Sequence, residues 1–397
     1  MNLDSEAIYD PSRLMSQFEE LSRFLLDTHC LWSENPYFHE ELSWSARFPD
    51  FWKWVEDLSD SDVDSFEHNP ENEPKAPEKW LALYRQIQKL TRFPRDVKEI
   101  DLKPGVLWRV PQRKSLQIRS FLSTLRPYLG MDLIDWCAGK GHLGRSAASL
   151  GGGSLLQVEH CEELCREARR LNGRIGIDSR VECIDVLLQE AEWPEQALLL
   201  AMHACGDLGD AAIGLHRRIG GVMALAPCCH HKIESDHYVP KSVYGKGTGL
   251  FFDRSVLHFS VAFETVASSR NRRLRRQEMD YRCALSAARG KWHVASRSCS
   301  RSWFQLPFCS FAFKMARRDG FELDGDLDEY LKEGRRRSVR IRARAMVRSP
   351  FRRAIESWLA LDRAISLQEM GRQVSIVEFC DRLASPRNLL LLARQEP

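Results

Sequence analysis

The sequence lacks any apolar run of the roughly 18 residues that a membrane-spanning helix requires. It also lacks an apolar leader, since its first residues are acidic and polar, which is not typical of a signal peptide. Its twelve cysteines are scattered through apolar strands and strand ends, so we expect reduced thiols and no disulfide framework. These absences predict a cytoplasmic protein with no membrane segment.

The net charge is also small, because the chain has 58 lysines and arginines and 55 aspartates and glutamates, which gives +3. The balance by itself excludes little, and the distribution of charge is more informative. A length of 397 residues with 43% hydrophobic content can bury a substantial core. We expect one large domain with an added region, or two domains.

The stretch from Met131 to Leu143 predicts a nucleotide-binding corner. A short apolar strand containing Asp135 runs into a glycine-rich turn at Gly139 and Gly141, and a helix-like segment follows. Glycines let backbone N–H groups approach a ligand, and the helix N-terminus adds the positive end of its dipole. A glycine turn alone is a weak signal, and the order of the following elements strengthens it.

Further apolar strands follow at helix-length intervals, and each ends in polar or thiol side chains. A strand at 155–158 is followed by Glu159, near the spacing of about 20 residues at which an acidic group meets a ribose in nucleotide folds. Strands separated by helices predict a parallel sheet whose carboxyl edge binds ligands. The remaining strands are predicted at 181–184, before Asp185; at 197–202, before His203-Ala204-Cys205-Gly206-Asp207; and at 221–226, before Pro227-Cys228-Cys229-His230-His231.

The regions around this core predict four segments. Residues 1–110 are a helical N-terminal region with an acidic, exposed linker at 57–77, and residues 111–231 are the core. Residues 232–350 are a basic insertion, predicted to bind substrate. Residues 351–397 supply a long amphipathic helix at 351–370 and a closing hairpin of strands 374–379 and 389–393.

Two arginine-rich runs within the insertion favour a polyanionic partner, although such runs often form a plain solvated surface. Few aromatic residues interleave them, so stacking on single-stranded bases is not signalled. The runs are Arg270, Arg272, Arg273, Arg275 and Arg276, then Arg335, Arg336, Arg337, Arg340, Arg342, Arg344 and Arg348.

Four motifs together resemble a known family. They are Asp135-Trp136-Cys137-Ala138-Gly139-Lys140-Gly141-His142-Leu143, His203-Ala204-Cys205-Gly206-Asp207, Pro227-Cys228-Cys229-His230 and Ser385-Pro386-Arg387-Asn388. The set resembles the class I S-adenosylmethionine-dependent methyltransferases related to methyltransferase-like protein twenty-five. The Cys-Cys-His-His element is also similar to one in tRNA 2′-O-methyltransferases of the acceptor stem. The resemblance covers 111–225 well, the last forty or so residues moderately and the rest poorly.

The resemblance implies a Rossmann-like, seven-stranded α/β sheet with its last strand antiparallel, and S-adenosylmethionine as cofactor. It implies that Asp135, Gly139 and Gly141 shape the methionine pocket, with Cys137 and His142 in the same turn. It further implies that Glu159 binds the ribose hydroxyls, Asp185 the adenine amino group, and that His203 and Cys205 flank the methyl group. One departure is Cys137, which stands where the family has its first glycine.

The cysteines and histidines after the fourth and fifth strands have three readings. Zinc binding is one, although adjacent Cys-Cys and His-His pairs fit a chelate poorly, and we expect no metal. A cysteine nucleophile such as Cys228, as in RNA cytosine methylation, is another. The favoured reading is substrate positioning and proton removal by His203 or His230, with the cysteines as small packing groups; it includes the case in which the cysteines only pack. Groups expected on the substrate side are Cys229, His231, Lys232, Arg273, Arg336 and Arg340.

The sequence thus predicts a methyltransferase acting on structured RNA such as tRNA or rRNA. No Asn-Pro-Pro-Tyr element follows the fourth strand, which argues mildly against methylation of an exocyclic amine. Two alternatives are a protein or small-molecule methyltransferase, and a non-catalytic RNA-binding or assembly factor. The oligomeric state stays open.

Overall fold

The structure, a computed structural model, describes residues 11–68, 75–262, 269–294 and 298–395. Within them the chain forms two compact units, each discontinuous in sequence: residues 11–26, 90–262 and 353–395 belong to the first, and residues 27–68, 75–89, 269–294 and 298–352 to the second. The four segments predicted from the sequence stay a prediction. Among the described residues, we find no helix with the length and apolar character needed to cross a membrane.

The α-helices alternate with the strands in the first unit and make up the second unit almost alone. In chain order they are α1 (Pro11–Asp27), α2 (His29–Trp32), α3 (Trp44–Arg47), α4 (Pro49–Glu56), α5 (Asp60–His68), α6 (Glu78–Leu90), α7 (Gln112–Thr124), α8 (His142–Ala148), α9 (Glu162–Arg174), α10 (Asp207–Ile219), α11 (Val243–Gly247), α12 (Arg254–Val261), α13 (Ser269–Ala288), α14 (Phe308–Asp319), α15 (Leu327–Arg348) and α16 (Phe351–Gln368).

A seven-stranded sheet forms the centre of the first unit, in the order β3-β2-β1-β4-β5-β7-β6. Its strands are β1 (Leu133–Trp136), β2 (Leu155–Glu159), β3 (Arg180–Cys183), β4 (Leu198–Cys205), β5 (Val222–Cys228), β6 (Arg372–Glu378) and β7 (Leu389–Gln395). The first five are parallel, and β7 pairs antiparallel with both β5 and β6. This confirms the predicted α/β class I methyltransferase fold.

Strand order reverses between β1 and β4, because β1 leads outward to β2 and β3 while β4 leads to β5. In parallel sheets, ligands bind outside the carboxyl ends of the strands at this switch point. The two central strands are buried on both faces, which explains their continuous apolar sequences. The fold therefore directs the side chains that follow β1 and β4 towards one crevice.

Helix α16 supplies much of the first unit's core. Trp358 is fully buried, lies 5.3 Å from Phe18 and 5.0 Å from Phe252 between ring centroids, and its indole N–H donates to Ser22 Oγ at 2.8 Å. Aromatic residues bury large apolar areas, and a buried indole N–H needs an acceptor. Helix α1, which contains Phe18 and Ser22, therefore packs with the sheet-bearing unit although it lies over a hundred residues before β1.

The acidic stretch expected as an exposed linker instead contains helix α5, so that expectation was wrong; residues 69–74 lie outside the described part. Val63 and Phe66 of this helix are buried in the second unit. Asp60 and Asp64 form ion pairs with Arg342, the first at 2.8 Å. The segment is ordered by burial of apolar side chains at helical spacing and by ion pairs with a distant helix. The residues that bury these side chains and the arginine of the ion pairs lie far away in the sequence, so the local composition does not reveal them.

Smaller differences concern helix ends. The helix expected at 115–128 begins at Gln112, ends at Thr124 and continues as a 3-10 turn, Arg126–Tyr128, because Pro127 cannot donate a helical hydrogen bond. The helix expected near 252–268 is α12, which ends at Val261; residues 263–268 lie outside the described part.

Two glycines on helices of the first unit give a matched test of packing. A Cβ on Gly144 would lie 2.7 Å from Asp135 Cβ, whereas a Cβ on the exposed Gly214 would meet nothing within 4 Å. Gly144→Ala should lower the free energy of unfolding by about 1–3 kcal/mol through overpacking. Gly214→Ala should raise it by about 0.5–1 kcal/mol, because alanine loses less backbone entropy in a helix. Urea unfolding measures both, and equal effects would contradict the close approach of α8 to β1.

Candidate functional site

The backbone bends sharply between β1 and α8 and leaves an open surface. Cys137, Gly139 and Gly141 have φ angles of 54°, 58° and 68°. A Cβ on Gly139 would meet nothing within 4 Å, whereas one on Gly141 would lie 2.4 Å from Gln157 Nε2. Gly141 thus packs against the sheet, and Gly139 presents bare backbone to open space. An approaching ligand therefore meets no β-carbon at Gly139.

Asp135 lies beneath this bend and is 2% exposed. Its Oδ2 accepts hydrogen bonds from Gly144 N and Gln157 Nε2, both at 2.9 Å. Burial raises the pKa of Asp135 to about 6, against the opposing effect of its two hydrogen bonds. Its contacts hold the start of α8 against the strand, so Asp135 acts on the pocket through backbone position.

A buried polar network extends from this carboxylate. Gln157 Oε1 accepts from Asn172 Nδ2 at 2.6 Å, and Asn172 Oδ1 accepts from Arg145 Nη1 at 3.2 Å. Arg145 also donates to Lys140 O at 3.0 Å and lies 2.5 Å from His142 Nδ1, measured from Nη2. Since arginine can only donate, His142 Nδ1 accepts. Burial and Arg145 lower the pKa of His142 to about 4, so this histidine is neutral near pH 7.

Glu159 ends β2 and turns its carboxylate towards the same bend. Its Oε2 accepts from Gly139 N at 2.9 Å, and its Oε1 accepts from Cys161 N at 3.0 Å. Oε1 also lies 3.0 Å from His160 Nδ1, so its two acceptor positions are taken, whereas Oε2 keeps one position for another donor. Glu159 therefore both fixes the bend and offers an acceptor beside it.

Asp185 follows β3 along the same edge and is half-buried. Its Oδ1 accepts from Leu187 N at 3.0 Å, which makes an Asx turn that fixes the carboxylate after the strand. These residues fit the adenosyl group that the resemblance implies. They are a bend with bare backbone at Gly139, a carboxylate with one spare acceptor position on Glu159 Oε2, and a second fixed carboxylate along the same sheet edge. Glu159→Gln and Asp185→Asn would test the two acids separately.

His203 lies in an irregularity of β4, where the pairing with β5 shifts register between Met202 and Ala204. Its φ of 63° is unusual for a residue other than glycine, and such strain concentrates at functional sites. Its Nε2 lies 3.0 Å from Gln117 Oε1, and Gln117 Nε2 donates to Ala384 O at 2.6 Å. Gln117 thus accepts from Nε2–H of His203, which leaves Nδ1 as the acceptor atom.

The electrostatic environment keeps His203 neutral. Burial, followed by the charges of Arg387 and Lys114, lowers its pKa to about 4. Arg387 belongs to the Ser-Pro-Arg-Asn motif and donates to Val261 O at 2.9 Å, which ties this motif to the end of α12. A neutral imidazole with a free ring nitrogen can accept a proton, although its low pKa makes it a weak base.

Three cysteines after β4 and β5 meet in space. The Sγ atoms of Cys205, Cys228 and Cys229 lie within 4.8 Å of one another, and those of Cys205 and Cys228 are 3.3 Å apart. Hydrogen bonds from Cys205 and Cys228, with the charges of Arg387 and Lys232, lower the pKa of Cys229. Hydrogen bonding to its neighbours and burial raise the pKa of Cys228. Of these thiols, the environment favours the thiolate form at Cys229 and opposes it at Cys228, the residue that the sequence put forward as a nucleophile.

The neighbouring residues differ in access. His230 is 1% exposed, and neither ring nitrogen has a hydrogen-bond partner among the described residues. Burial lowers its pKa to about 3, so it is a neutral core residue poorly placed to exchange protons with a substrate. His231 is half-buried against the ring of His258 at 4.8 Å, and Lys232 is exposed. Of the two predicted bases, the geometry favours His203.

The sequence analysis missed Gln117, which orients His203 from helix α7. The signal was available, because Gln117 is the polar residue beside Ile118 and Phe121 on the buried face of that helix. A polar side chain within an apolar stripe usually has a specific partner. Gln157 was also missed, although it gives the same signal as a polar residue in the apolar start of β2; its partners, Asp135 and Asn172, come from other elements.

The arginines expected on the substrate side belong to the second unit. Arg273, on α13, and Arg336 and Arg340, on α15, are all exposed, and these two helices pack against each other. Other arginines of the second run are buried: Arg344 donates to Glu56 Oε1 at 2.8 Å, and Arg342 pairs with Asp60 and Asp64. Part of the predicted basic surface is therefore internal charge pairing.

Residues 113–236 match the sequence model of a family described as a methyltransferase domain, and no curated protein matches the chain. Among solved structures, the chain is similar to an S-adenosylmethionine-dependent methyltransferase from Clostridium acetobutylicum, with 13% identity, a TM-score of 0.23 and coverage of 37% of this chain and 56% of that one. It is also similar to a protein-L-isoaspartate O-methyltransferase, with 16% identity, a TM-score of 0.25 and coverage of 38% and 55%.

A third similar structure is coclaurine N-methyltransferase bound to N-methylheliamine and SAH, with 10% identity, a TM-score of 0.25 and coverage of 54% of this chain and 63% of that one. The chain thus spans between half and two thirds of the length of these structures. Residues 113–236 thus match a methyltransferase-domain model and contain the five parallel strands of a sheet with class I methyltransferase topology.

The neutral histidines predict how stability depends on pH. The pKa values of His142, His203 and His216 are lowered from 6.5 to about 4, and that of His230 to about 3, chiefly by burial. Between pH 6.5 and pH 4 these histidines bind protons in the unfolded chain but stay unprotonated in the folded chain. The free energy of unfolding should therefore fall as pH drops from 6.5 towards 4. Asp135, with its raised pKa of about 6, partly offsets this fall.

Urea midpoints at pH 7.5 and pH 5 test this prediction, and the midpoint should be lower at pH 5. His230→Leu removes one of the histidines with a lowered pKa and should make the fall of the urea midpoint between pH 7.5 and pH 5 smaller. A midpoint that is equal or higher at pH 5 would show that the histidines are protonated in the folded state.

Proposed function

We propose that this protein is an S-adenosylmethionine-dependent methyltransferase that modifies structured RNA such as tRNA or rRNA. The observation that carries the enzyme class is the open backbone at Gly139 beside the Glu159 carboxylate. The RNA substrate rests on exposed arginines of the second unit and is a separate part of the proposal. Comparison of RNA modifications by mass spectrometry, with and without the protein, is the most direct test of that part.

Each acid at the sheet edge has a binding role in this proposal. Glu159 binds the ribose hydroxyls through the acceptor position that Gly139 N leaves free on Oε2, while Oε1 keeps its contacts with Cys161 N and His160 Nδ1. Asp185 accepts from the adenine amino group, held in place by its Asx turn. Cys137 lies at the bend as a protonated thiol, because burial and then the nearby Glu159 raise its pKa to about 12.

His203 has the role of proton acceptor. S-adenosylmethionine, when bound, supplies an electrophilic methyl group on a sulfonium. His203 Nδ1 takes the proton that a hydroxyl or amine acceptor loses, while Gln117 holds the imidazole by its Nε2–H. With a pKa of about 4, His203 is unprotonated above about pH 5. Its ability to accept a proton should therefore not change with pH near neutrality. Positioning of the acceptor supplies most of the rate in such a displacement.

The arginines of α13 and α15 support a polyanionic substrate. Arg270, Arg273 and Arg275 are exposed on the first helix, and Arg335, Arg336 and Arg340 on the second. Since the two helices pack against each other, their exposed guanidinium groups share one unit. Guanidinium groups suit phosphate because they present paired N–H donors.

A protein or small-molecule substrate is the second candidate, and a specific observation favours it. Acidic residues of α4 and α5 neutralise Arg276, Arg342 and Arg344 within the second unit, which weakens the net positive field. A non-catalytic RNA-binding or assembly factor is the third candidate. The open backbone at Gly139 and the carboxylates of Glu159 and Asp185 count against it, because they are the groups that binding of an adenosyl cofactor needs.

Glu159→Gln tests the cofactor site. The substitution keeps the size of the side chain but removes the charge and one set of acceptor lone pairs, so affinity for S-adenosylhomocysteine should fall by roughly 10-fold to 100-fold, on the order of 1.4–3 kcal/mol. Isothermal titration measures the loss, and thermal stabilisation by the ligand should shrink with it. Glu163→Gln, on the exposed face of α9, is the control and should bind normally. Unchanged affinity in Glu159→Gln would remove Glu159 from the site.

Substitution of Arg273, Arg336 and Arg340 by glutamine tests the RNA surface. Each lost phosphate contact should lower the slope of log affinity against log salt by about 1, and the triple variant should bind RNA more weakly at low salt. Filter binding to a tRNA or rRNA fragment at several salt concentrations provides both quantities.

The control for this experiment replaces three exposed basic residues elsewhere in the second unit, Arg301, Lys314 and Arg317. Equal losses in both triple variants would indicate a general charge effect. RNA affinity that is insensitive to salt and to the first triple variant would favour the protein or small-molecule substrate.

A further inference from the structure

The Cys205, Cys228 and Cys229 thiols form a compact group that the proposed methyl transfer does not use. Their sulfur atoms lie within 4.8 Å of one another. In a tetrahedral zinc site with Zn–S bonds of about 2.3 Å, neighbouring sulfurs are roughly 3.8 Å apart. The 3.3 Å between Cys205 and Cys228 and the 4.8 Å limit of the group bracket that spacing. Movements of a fraction of an ångström would therefore suffice to place all three on one ion.

The backbone removes the sequence-based objection that adjacent cysteines diverge. Cys229 has a φ of 47°, in the left-handed region that a non-glycine residue seldom adopts. This conformation turns Cys229 out of the strand's alternation, so its thiol meets the other two. The strain is held by a turn in which Lys232 N donates to Cys229 O at 2.8 Å.

The two loops that carry the thiols are tied to each other. Gly206 N donates to Cys228 O at 3.1 Å, and Asp207 N donates to Lys232 O at 3.3 Å. A Cβ on Gly206 would lie 1.6 Å from Lys232 O, so only glycine permits this approach. Loops fixed in this way hold the three sulfurs together before any ligand arrives, as a binding site for an ion requires.

We infer that Cys205, Cys228 and Cys229 bind a soft divalent cation, zinc, through three thiolates. Thiolates favour zinc over magnesium, calcium or manganese, which take oxygen ligands. Among the described residues, no fourth histidine, cysteine or carboxylate atom lies within 4.8 Å of all three sulfurs. Three protein ligands with one open position is the arrangement of zinc sites that hold water or a substrate atom.

The location gives this open position a use. Cys205 ends β4, which pairs with β1, and Cys137 directly follows β1 at the same edge of the sheet. The ion would therefore lie at the carboxyl edge of the sheet that also holds the bend after β1. The inference stands without the proposed function, because it rests on the sulfur geometry alone.

Metal content of the full-length protein tests the inference. Protein prepared with added zinc and dialysed should retain one zinc ion per chain by mass spectrometry, and Co²⁺ in its place should produce thiolate-to-cobalt charge-transfer absorption. Cys205→Ser and Cys229→Ser should each lose the ion. Cys309→Ser, at an exposed cysteine of α14, is the matched control and should keep it.

Binding of S-adenosylhomocysteine, measured on the same preparations, separates folding and cofactor failure from metal failure. Loss of zinc in Cys205→Ala with normal binding of this ligand supports the site, since the fold is then intact. Zinc retained by that variant, or wild-type protein with all three thiols reactive and no zinc uptake, overturns it. Loss of two thiols to a disulfide, with no metal bound by the reduced protein, overturns it as well. A zinc-bound protein without affinity for S-adenosylhomocysteine would refute the methyltransferase proposal and leave the zinc site standing.

Discussion

Two buried carboxylates that accept backbone N–H groups are the constraint on which the cofactor site depends. Glu159 accepts from Gly139 N and Asp135 accepts from Gly144 N, so the chain is fixed at two points five residues apart, one in the bend and one in the first turn of α8. A tight bend leaves several N–H groups without partners, and uncompensated burial of such groups is unfavourable. The acids satisfy two of them. The bend can therefore stay bare at Gly139, where a ligand needs access, while Gly141 packs closely on Gln157.

In the second unit, the main electrostatic feature is the pairing of buried arginines with acidic residues. Its long helix α15 carries buried arginines, and a buried unpaired guanidinium is unfavourable. Acidic residues from α4 and α5, distant in sequence, supply the partners. The composition that suggests a nucleic-acid surface is thus divided: one part of the arginines neutralises an acidic segment, and the other part is exposed. Only the exposed part, such as Arg273 and Arg336, can attract a polyanion.

Three titratable side chains at the carboxyl edge of the sheet, His203, His230 and Cys137, are uncharged near neutral pH. Burial keeps His203 and His230 neutral, and it keeps the Cys137 thiol protonated. The neutral imidazoles and the protonated thiol add no charge of their own beside the proposed cationic donor. The thiol cluster is the exception, since three sulfurs in close contact share their environment and favour the thiolate at Cys229. The proposed proton acceptor and the proposed metal site therefore lie along one sheet edge with different electrostatic character.

The sequence by itself determined the α/β sheet, the position of the glycine bend and the acids at the strand ends. These follow from local periodicity and from the rule that parallel strands end at one edge, which needs no distant contact. Only the tertiary structure decided what the side chains do there. Asp135 proved to hold backbone, Gln117 to orient His203, and Cys229 to turn towards Cys205 and Cys228. The acidic segment at α5 became a helix because of arginines almost three hundred residues away. Such roles depend on contacts between distant residues, on burial and on backbone strain, which local sequence patterns do not encode.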